Sequence, residues 1–254
     1  MKNILYEDKD ILVAYKPAGI ATQTSRIGQQ DMVSELKNYL VVSERENGEN
    51  DRTKSAKTKQ QSGQEPYLGL IHRLDQPVSG VLVFAKNKKA AADLSSQVTN
   101  GTMKKFYYAL IYGTPIREKD TLEDYLYKDG RENLSMIVNA TFPDAKKAVL
   151  KYRHCSTLMV LEEGEEVSLM EIELLTGRHH QIRCQMSNAG MPLLGDSKYG
   201  SERSKELSRD IGCKNVALCA YKLTFKHPVT HKEMIFEKEP EEELFTPFLH
   251  EGIL

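Results

Sequence analysis

Strand-like apolar runs recur along this sequence without a regular strand–helix–strand beat, and that irregularity limits the fold more than any other feature. Ile11 to Tyr15 (ILVAY) is a short apolar strand ended by Lys16-Pro17-Ala18-Gly19, and Gly80 to Ala85 (GVLVFA) is a buried strand. Phe106 to Tyr112 (FYYALIY) is rich in the aromatics that strands favour. Met170, Ile172 and Leu174 alternate with Glu171 and Glu173 in a half-buried strand ending at Thr176-Gly177, and Ala217 to Phe225 and Glu233 to Phe236 have strand character too. Helical periodicity occurs between them. Asp31 caps an amphipathic helix through Met32, Leu36 and Leu40; a second runs from about Lys88 to Thr99 and stops at Gly101. A third is predicted from Arg178 to Ala189, with Ile182, Met186 and Ala189 on its apolar face and Gly190 and Pro192 closing it. A doubly wound parallel sheet needs a helix between successive strands. The pattern instead predicts an α+β fold with a mixed, largely antiparallel sheet and flanking helices, and nothing repeats at a fixed period.

A hydrophobic content of 40% in 254 residues is enough to bury one core, so residues 1–254 read as a single domain. One stretch cannot join that core. Ser43 to Pro66 has Ala56 as its only apolar side chain and is expected to be a mobile loop, either inert or facing a large substrate. The four cysteines form no C-x-x-C pair, and only His227 and His231 lie near Cys213 and Cys219, so no zinc site is expected. The N-terminus is acidic where a leader would be basic, and no run approaches the roughly 18 apolar residues of a membrane helix. The expectation is a soluble, cytoplasmic protein with reduced thiols. Net charge is −1, so a polyanionic partner would have to find charge segregated locally. Glu237 to Glu243 is acidic, and Lys86 to Lys105 and Arg178 to Lys198 are relatively basic, although solvated faces look the same.

Three constellations carry possible chemistry. In His72-Arg73-Leu74-Asp75-Gln76-Pro77-Val78-Ser79-Gly80, a charged loop is pinned between core elements, and Pro77 and Gly80 fix a tight turn that would hold Asp75 on rigid backbone. The alternative is that Asp75 caps the turn and pairs with Arg73. In Thr176-Gly177-Arg178-His179-His180-Gln181-Ile182-Arg183, a glycine turn opens the third helix beside two arginines and two histidines, a place suited to an RNA phosphate or a neighbouring carboxylate. A metal is disfavoured there, because adjacent residues on a helix point about 100° apart and no acidic ligand stands one turn away. In Lys104-Lys105-Phe106-Tyr107-Tyr108, cations precede aromatics, which suits either stacking on an unpaired base or plain core packing.

Taken together, the wording and order of these motifs resemble the RluA-type pseudouridine synthase family from about Ile4 to Pro240. The resemblance runs through Tyr6-Glu7-Asp8, Lys16-Pro17-Ala18-Gly19, His72-Arg73-Leu74-Asp75 with Ser79-Gly80, and Lys105-x-Tyr107-x-Ala109. It continues in Leu175-Thr176-Gly177-Arg178-x-His180-Gln181-Ile182-Arg183, Pro192-Leu193-Leu194-Gly195-Asp196, Tyr199-Gly200 and His227-Pro228. It implies a catalytic fold with a central RNA-binding cleft, Asp75 as catalytic aspartate, Tyr107 as the tyrosine contacting the target base, and Arg183 as the aspartate's partner. His72, Arg73 and Leu74 would complete the loop that enters the RNA, with Lys105, Arg178, His180 and Gln181 as further substrate-binding or supporting residues. The implied partner of this monomer is ribosomal or transfer RNA, not DNA or a membrane. No small RNA-binding S4 domain is expected before the catalytic one.

The chemistry so implied breaks the N1–C1′ bond of a flipped-out uridine, turns the uracil and rejoins it through C5. It has no redox or group-transfer step, so no metal or organic cofactor is expected. An ionised carboxylate would attack C1′ or C6, or remove a sugar proton. Desolvation disfavours that charge, and a guanidinium within about 4–6 Å favours it. Tyr107 would stack on the uracil and take the C5 proton directly or through water. Departures from the family wording fall at Val78, His179, Cys184-Gln185 and Cys219. The rival readings are an RNA uracil glycosidase, which would release free base, and a non-catalytic RNA-binding factor on the same fold.

Overall fold

The computed structural model describes residues 3–24, 28–50, 65–160 and 164–250. Among these residues are eleven strands: β1 (Ile4–Glu7), β2 (Ile11–Lys16), β3 (Gly69–Leu70), β4 (Ser79–Ala85), β5 (Lys104–Tyr112), β6 (Lys119–Asp129), β7 (Leu134–Val138), β8 (Lys146–Val160), β9 (Glu165–Leu174), β10 (Leu218–Lys226) and β11 (Glu233–Glu237). They form one sheet in the order β1-β2-β4-β10-β5-β9-β8-β6-β7, with β3 added to β4 and β11 to β10. Among these pairs β4 with β10 is parallel and the rest are antiparallel. The sheet is therefore mixed and largely antiparallel, as its sequence pattern predicts.

The strands β2 and β4 are buried along their whole length because both sheet faces are covered there. On one face Leu12, Ala14, Leu82, Phe84, Tyr107 and Ile172 pack with Leu36 of α1 (Met32–Asn50) and Ile182. On the other, Ile11, Val13, Tyr15, Val81 and Val83 meet Ala90 and Leu94 of α2 (Lys88–Thr99). Alternate residues of one strand thus serve two cores. At the parallel seam Ser79 lies opposite Cys219 and Gly80 opposite Ala220. Gly80 has φ +133°, and a Cβ there would stand 2.5 Å from the backbone N and O of Ala220. The seam closes only over glycine, and it is the seam that anchors the turn carrying Asp75.

Two sequence expectations need correction. The polar run begins inside a helix, since α1 continues through Asn50; elongating a formed helix is cheap even without apolar anchors, and Glu is a good helix former. The remainder of that run, 51–64, lies outside the described residues. The third helix is shorter than its periodicity implies. It starts at Gln181 as α3 (Gln181–Asn188), because His180 adopts φ 50° and leaves Arg178 and His179 on the approach. The strands β6, β7 and β8 and the helix α4 (Glu202–Asp210) were not read from sequence at all. The short α5 (Thr246–Leu249) completes the described fold.

Candidate active site

Asp75 sits on the turn leading into β4, and buried polar groups fasten that turn from behind. Val78 donates its N–H to the Asp75 carbonyl at 3.0 Å, and Gly19 donates to the Gln76 carbonyl at 2.9 Å. Lys16, with no exposed surface, donates from Nζ to the carbonyls of Pro17 (2.9 Å), Ile20 (2.6 Å) and Gln76 (3.1 Å). Burial pulls the Lys16 amine down to about 8, while the negative charge of Asp75 works the other way. The Thr22 hydroxyl donates to the Leu74 carbonyl at 2.8 Å and accepts the Leu74 N–H at 3.2 Å. Asp75 thus rides on backbone held at both sides, as a reacting carboxylate requires.

The carboxylate keeps 30% of its side-chain surface exposed, and Oδ2 faces two nitrogens: Arg183 Nη1 at 3.4 Å and His180 Nε2 at 3.7 Å. Arg73 is exposed and, among the described residues, in no ion pair, so the alternative partner for Asp75 falls away. The neighbouring carboxylate is what the 176–183 segment meets. Yet Asp75 is only the second partner of Arg183. Arg183 Nε and Nη2 each lie 2.7 Å from Asp196, whose side chain is fully buried and also accepts the N–H groups of Lys198 and Tyr199. Asp196 neutralises the buried guanidinium and fixes its plane, leaving Nη1 for Asp75. Sequence reasoning gave Asp196 no role. The available signal was an acid ending the apolar run Leu193-Leu194-Gly195 in a chain with a buried arginine to neutralise.

Tyr107 lies on β5 opposite Ile172 of β9, 5% exposed, and among the described residues its hydroxyl has no hydrogen-bond partner. Burial and then the charge of Asp75 push its pKa upward. The phenol therefore stays protonated at neutral pH, which weighs against direct proton acceptance and leaves a relay through water. Lys105 on the same strand is half-buried, with Nζ 3.6 Å from where a Cβ on Gly177 would be. Burial lowers its pKa.

Several expected RNA contacts face inward. His72 accepts the Val83 N–H at Nε2 (3.4 Å), and burial, aided by the charge of Lys105, pushes it down to about 3. Leu74 belongs to the core at 6% exposure. Of that trio Arg73 is exposed and His72 half-buried, while Leu74 seals the core beneath the turn. Gln181 is a brace: Oε1 accepts the Thr176 hydroxyl and the Arg178 N–H, and Nε2 donates to Val149 O and Gln185 Oε1. With every polar atom engaged, it has none to offer RNA. Arg178 is exposed, with Nε donating to the Lys147 carbonyl at 2.9 Å. His180 is buried, and burial pushes it down to about 4, with the charges of Asp75 and Arg183 acting in opposite directions. It is a neutral imidazole at physiological pH.

One group with the composition of a metal site occurs among the described residues: Asp8, Asp10 and His227, with ligand atoms within 4.8 Å of one another. His227 Nδ1 accepts N–H groups from Val229 and Thr230, so its proton resides on Nε2, which donates to Asp8 Oδ2 at 2.8 Å. A protonated nitrogen cannot ligate a cation. Asp8 and His227 are a clasp between the β1–β2 turn and the turn after β10, while Asp10 Oδ1 accepts from Asn87.

An α+β scaffold that presents a rigidly mounted, half-open carboxylate beside a buried guanidinium defines an enzyme site of the nucleophilic or acid–base kind. Residues 10–188 match the family described as RNA pseudouridylate synthase. A Bacillus subtilis relative, the uncharacterized RNA pseudouridine synthase YhcT, is 34% identical over 92% of this chain and 67% of its own length. Ribosomal large subunit pseudouridine synthase C of Vibrio cholerae is 28% identical over 91% of this chain and 63% of its own. Human RNA pseudouridylate synthase domain containing 1 shares the fold, with a TM-score of 0.69 at 22% identity over 93% of this chain and 82% of its own. The chain belongs to the RluA-type RNA pseudouridine synthase family. It is an isomerase acting on RNA.

Proposed function

We propose that the chain isomerises specific uridines of structured RNA, ribosomal or transfer, with Asp75 as the catalytic carboxylate. The observation that carries this reading is the asymmetry of that carboxylate. Oδ2 is approached by Arg183 and His180, whereas Oδ1, among the described residues, receives no hydrogen bond. One oxygen is steadied and the other is available to a sugar or base brought to it. The ribosomal substrate named for the Vibrio relative supports ribosomal RNA as the first class to test.

A stacked uridine is out of reach, so the nucleotide must leave the helix, at a cost of about a few kcal/mol. Exposed Arg73 is suited to the phosphates around the vacated position, and the Tyr107 ring to the face of the uracil. The ionised Asp75 then attacks C1′ or C6, or takes a sugar proton. In each version the N1–C1′ bond breaks, a C5–C1′ bond forms, the C5 proton is lost to solvent and N1 takes up a proton, so the net change is an isomerisation. Arg183 Nη1, 3.4 Å from Oδ2, keeps that oxygen turned away from the substrate as water is expelled.

Release of tritium from RNA carrying 5-tritiated uridine, with product nucleosides resolved by chromatography, tests the assignment. Asp75→Asn is expected to abolish release while RNA affinity stays within about twofold. Turnover surviving in that variant removes Asp75 from the chemistry, and free uracil in place of pseudouridine would make the enzyme a glycosidase.

A further inference from the structure

Ser135 of β7 commits all of its polar groups to the segment that surrounds Asp75. Its N–H donates to the Tyr199 hydroxyl at 2.7 Å, its Oγ lies 2.6 Å from the His179 carbonyl and 3.0 Å from His179 Nδ1, and its carbonyl accepts from Cys184 Sγ at 3.3 Å. Ser135 is 4% exposed, so these bonds are shielded from water. Asn133, in the turn before β7, meets His179 Nε2 at 3.1 Å, and its carbonyl accepts from Lys198 Nζ at 2.8 Å. The β6–β7 hairpin is thereby tied to both flanks of the site. His179 stacks on His180 with ring centroids 3.7 Å apart.

The hydrogens in this network can be assigned. The Tyr199 oxygen accepts from the Ser135 N–H, and its one hydrogen is directed to His180 Nδ1 at 2.9 Å. A neutral imidazole that accepts at Nδ1 carries its proton on Nε2. That N–H is the group facing Asp75 Oδ2 at 3.7 Å. The distance exceeds a hydrogen bond, and catalytic contacts are commonly long before substrate arrives and shorten in the complex. The other tautomer would turn a lone pair toward the carboxylate and repel it.

The geometry points to Ser135, Tyr199 and His180 as a hydrogen-bonded chain that positions the Asp75 carboxylate, so that the seating of the β6–β7 hairpin governs the turnover number. Tyr199 and His180 are positioning residues here, and the inference rests on Asp75 being the catalytic group. The chain fixes which tautomer His180 adopts. It also directs Oδ2 toward the α3 side and leaves Oδ1 free. His179, one of the positions that depart from the family wording, adds a second tie between the hairpin and His180.

Tyr199→Phe is the clean perturbation, because it removes the hydroxyl and keeps the ring over which the Arg183 guanidinium lies at 5.1 Å. Its kcat is expected to fall roughly tenfold, the upper scale of one hydrogen bond between neutral groups, with KM and RNA affinity unchanged. His180→Asn, which tolerates the left-handed backbone at that position, is expected to lose at least as much. The double variant is expected to be no slower than His180→Asn alone, since both residues act through one contact. Multiplicative losses, an unchanged kcat in Tyr199→Phe, or a loss confined to KM would each overturn the chain. Asp75→Asn assayed alongside keeps the two readings apart: activity there defeats the catalytic assignment, whereas inactive Asp75→Asn with a fully active Tyr199→Phe defeats only the positioning.

Discussion

Arg183 divides its guanidinium between two acids, one fully buried and the other partly open to solvent. Asp196, with no exposed side-chain surface, takes two contacts of 2.7 Å; Asp75, 30% exposed, takes one of 3.4 Å. Removing one member of a buried pair costs roughly 3–5 kcal/mol, because the remaining charge has lost both water and partner. A loss of 1 kcal/mol lowers the melting midpoint by about 2–4 °C in a chain of this size. Arg183→Met is therefore expected to lower the midpoint by about 6–20 °C, and Asp196→Asn by a comparable amount. Asp75→Asn gives up a single long contact at a partly solvated group, worth under about 1 kcal/mol, and its midpoint should stay within about 4 °C of the parent. Thermal unfolding followed by circular dichroism, run beside tritium release on the same preparations, separates the two effects. Asp75→Asn should be folded and inactive, while Asp196→Asn should be destabilised and retain some turnover below its midpoint. If Asp75→Asn melts as early as Asp196→Asn, or Arg183→Met melts with the parent, the division is wrong.

Gly80→Ala places a Cβ 2.5 Å from the Ala220 backbone on a φ of +133°, so it is expected to yield insoluble protein or a midpoint lowered by more than about 10 °C; normal melting would show that the seam yields. Tyr107→Phe removes a hydroxyl with no partner among the described residues, so its midpoint should be unchanged, while kcat drops by about 10²-fold or more if a water relay uses that oxygen. A parental kcat would leave only the ring at work. For Asp8, burial raises the carboxyl pKa, but hydrogen bonds from the N–H groups of Ile11 and Asp10, from His227 and from Tyr6 outweigh it and hold the pKa below its ordinary value. A depressed folded value stabilises above the unfolded pKa of about 3.9 and is lost as pH falls through the folded one. Asp8→Asn should thus melt below the parent at pH 7, with the gap closing under about pH 4; a gap constant into acid would refute the clasp.

How much the sequence disclosed depended on where each element was buried. The helix Lys88–Thr99 was legible to the residue because one face packs on the sheet, Asn87 caps it and Gly101 follows in a left-handed turn. The strand β4 was legible as an apolar run, and β10 as one broken only by Lys222 and Thr224 before its end. The arm β6–β7–β8 was not, because Thr121, Glu123, Lys128 and Lys146 keep it largely solvated and few residues, Leu126 and Ala148 among them, pack on α3 through Cys184. Asp75 and Arg183 were singled out by their wording, and the structure brings the two side chains to 3.4 Å of each other. Asp196, Tyr199 and Ser135 were not assigned roles, since each acts through a partner distant in sequence. Spacing along the chain carries no trace of such pairings, and only a count of buried charges hints at Asp196.

The position of β10 has a bearing on how the enzyme comes into being. This strand fills the middle of the sheet between β4 and β5, although of the described elements only β11, a short 3-10 turn and α5 follow it. During synthesis, at roughly 5–20 residues per second, the facing edges of β4 and β5 must wait unpaired until residues 218–226 leave the ribosome. Non-local pairing of this kind folds slowly and exposes strand edges meanwhile. Since Gly80 at the seam also sets the turn bearing Asp75, that turn gains its final backing only once residues 218–226 have been made.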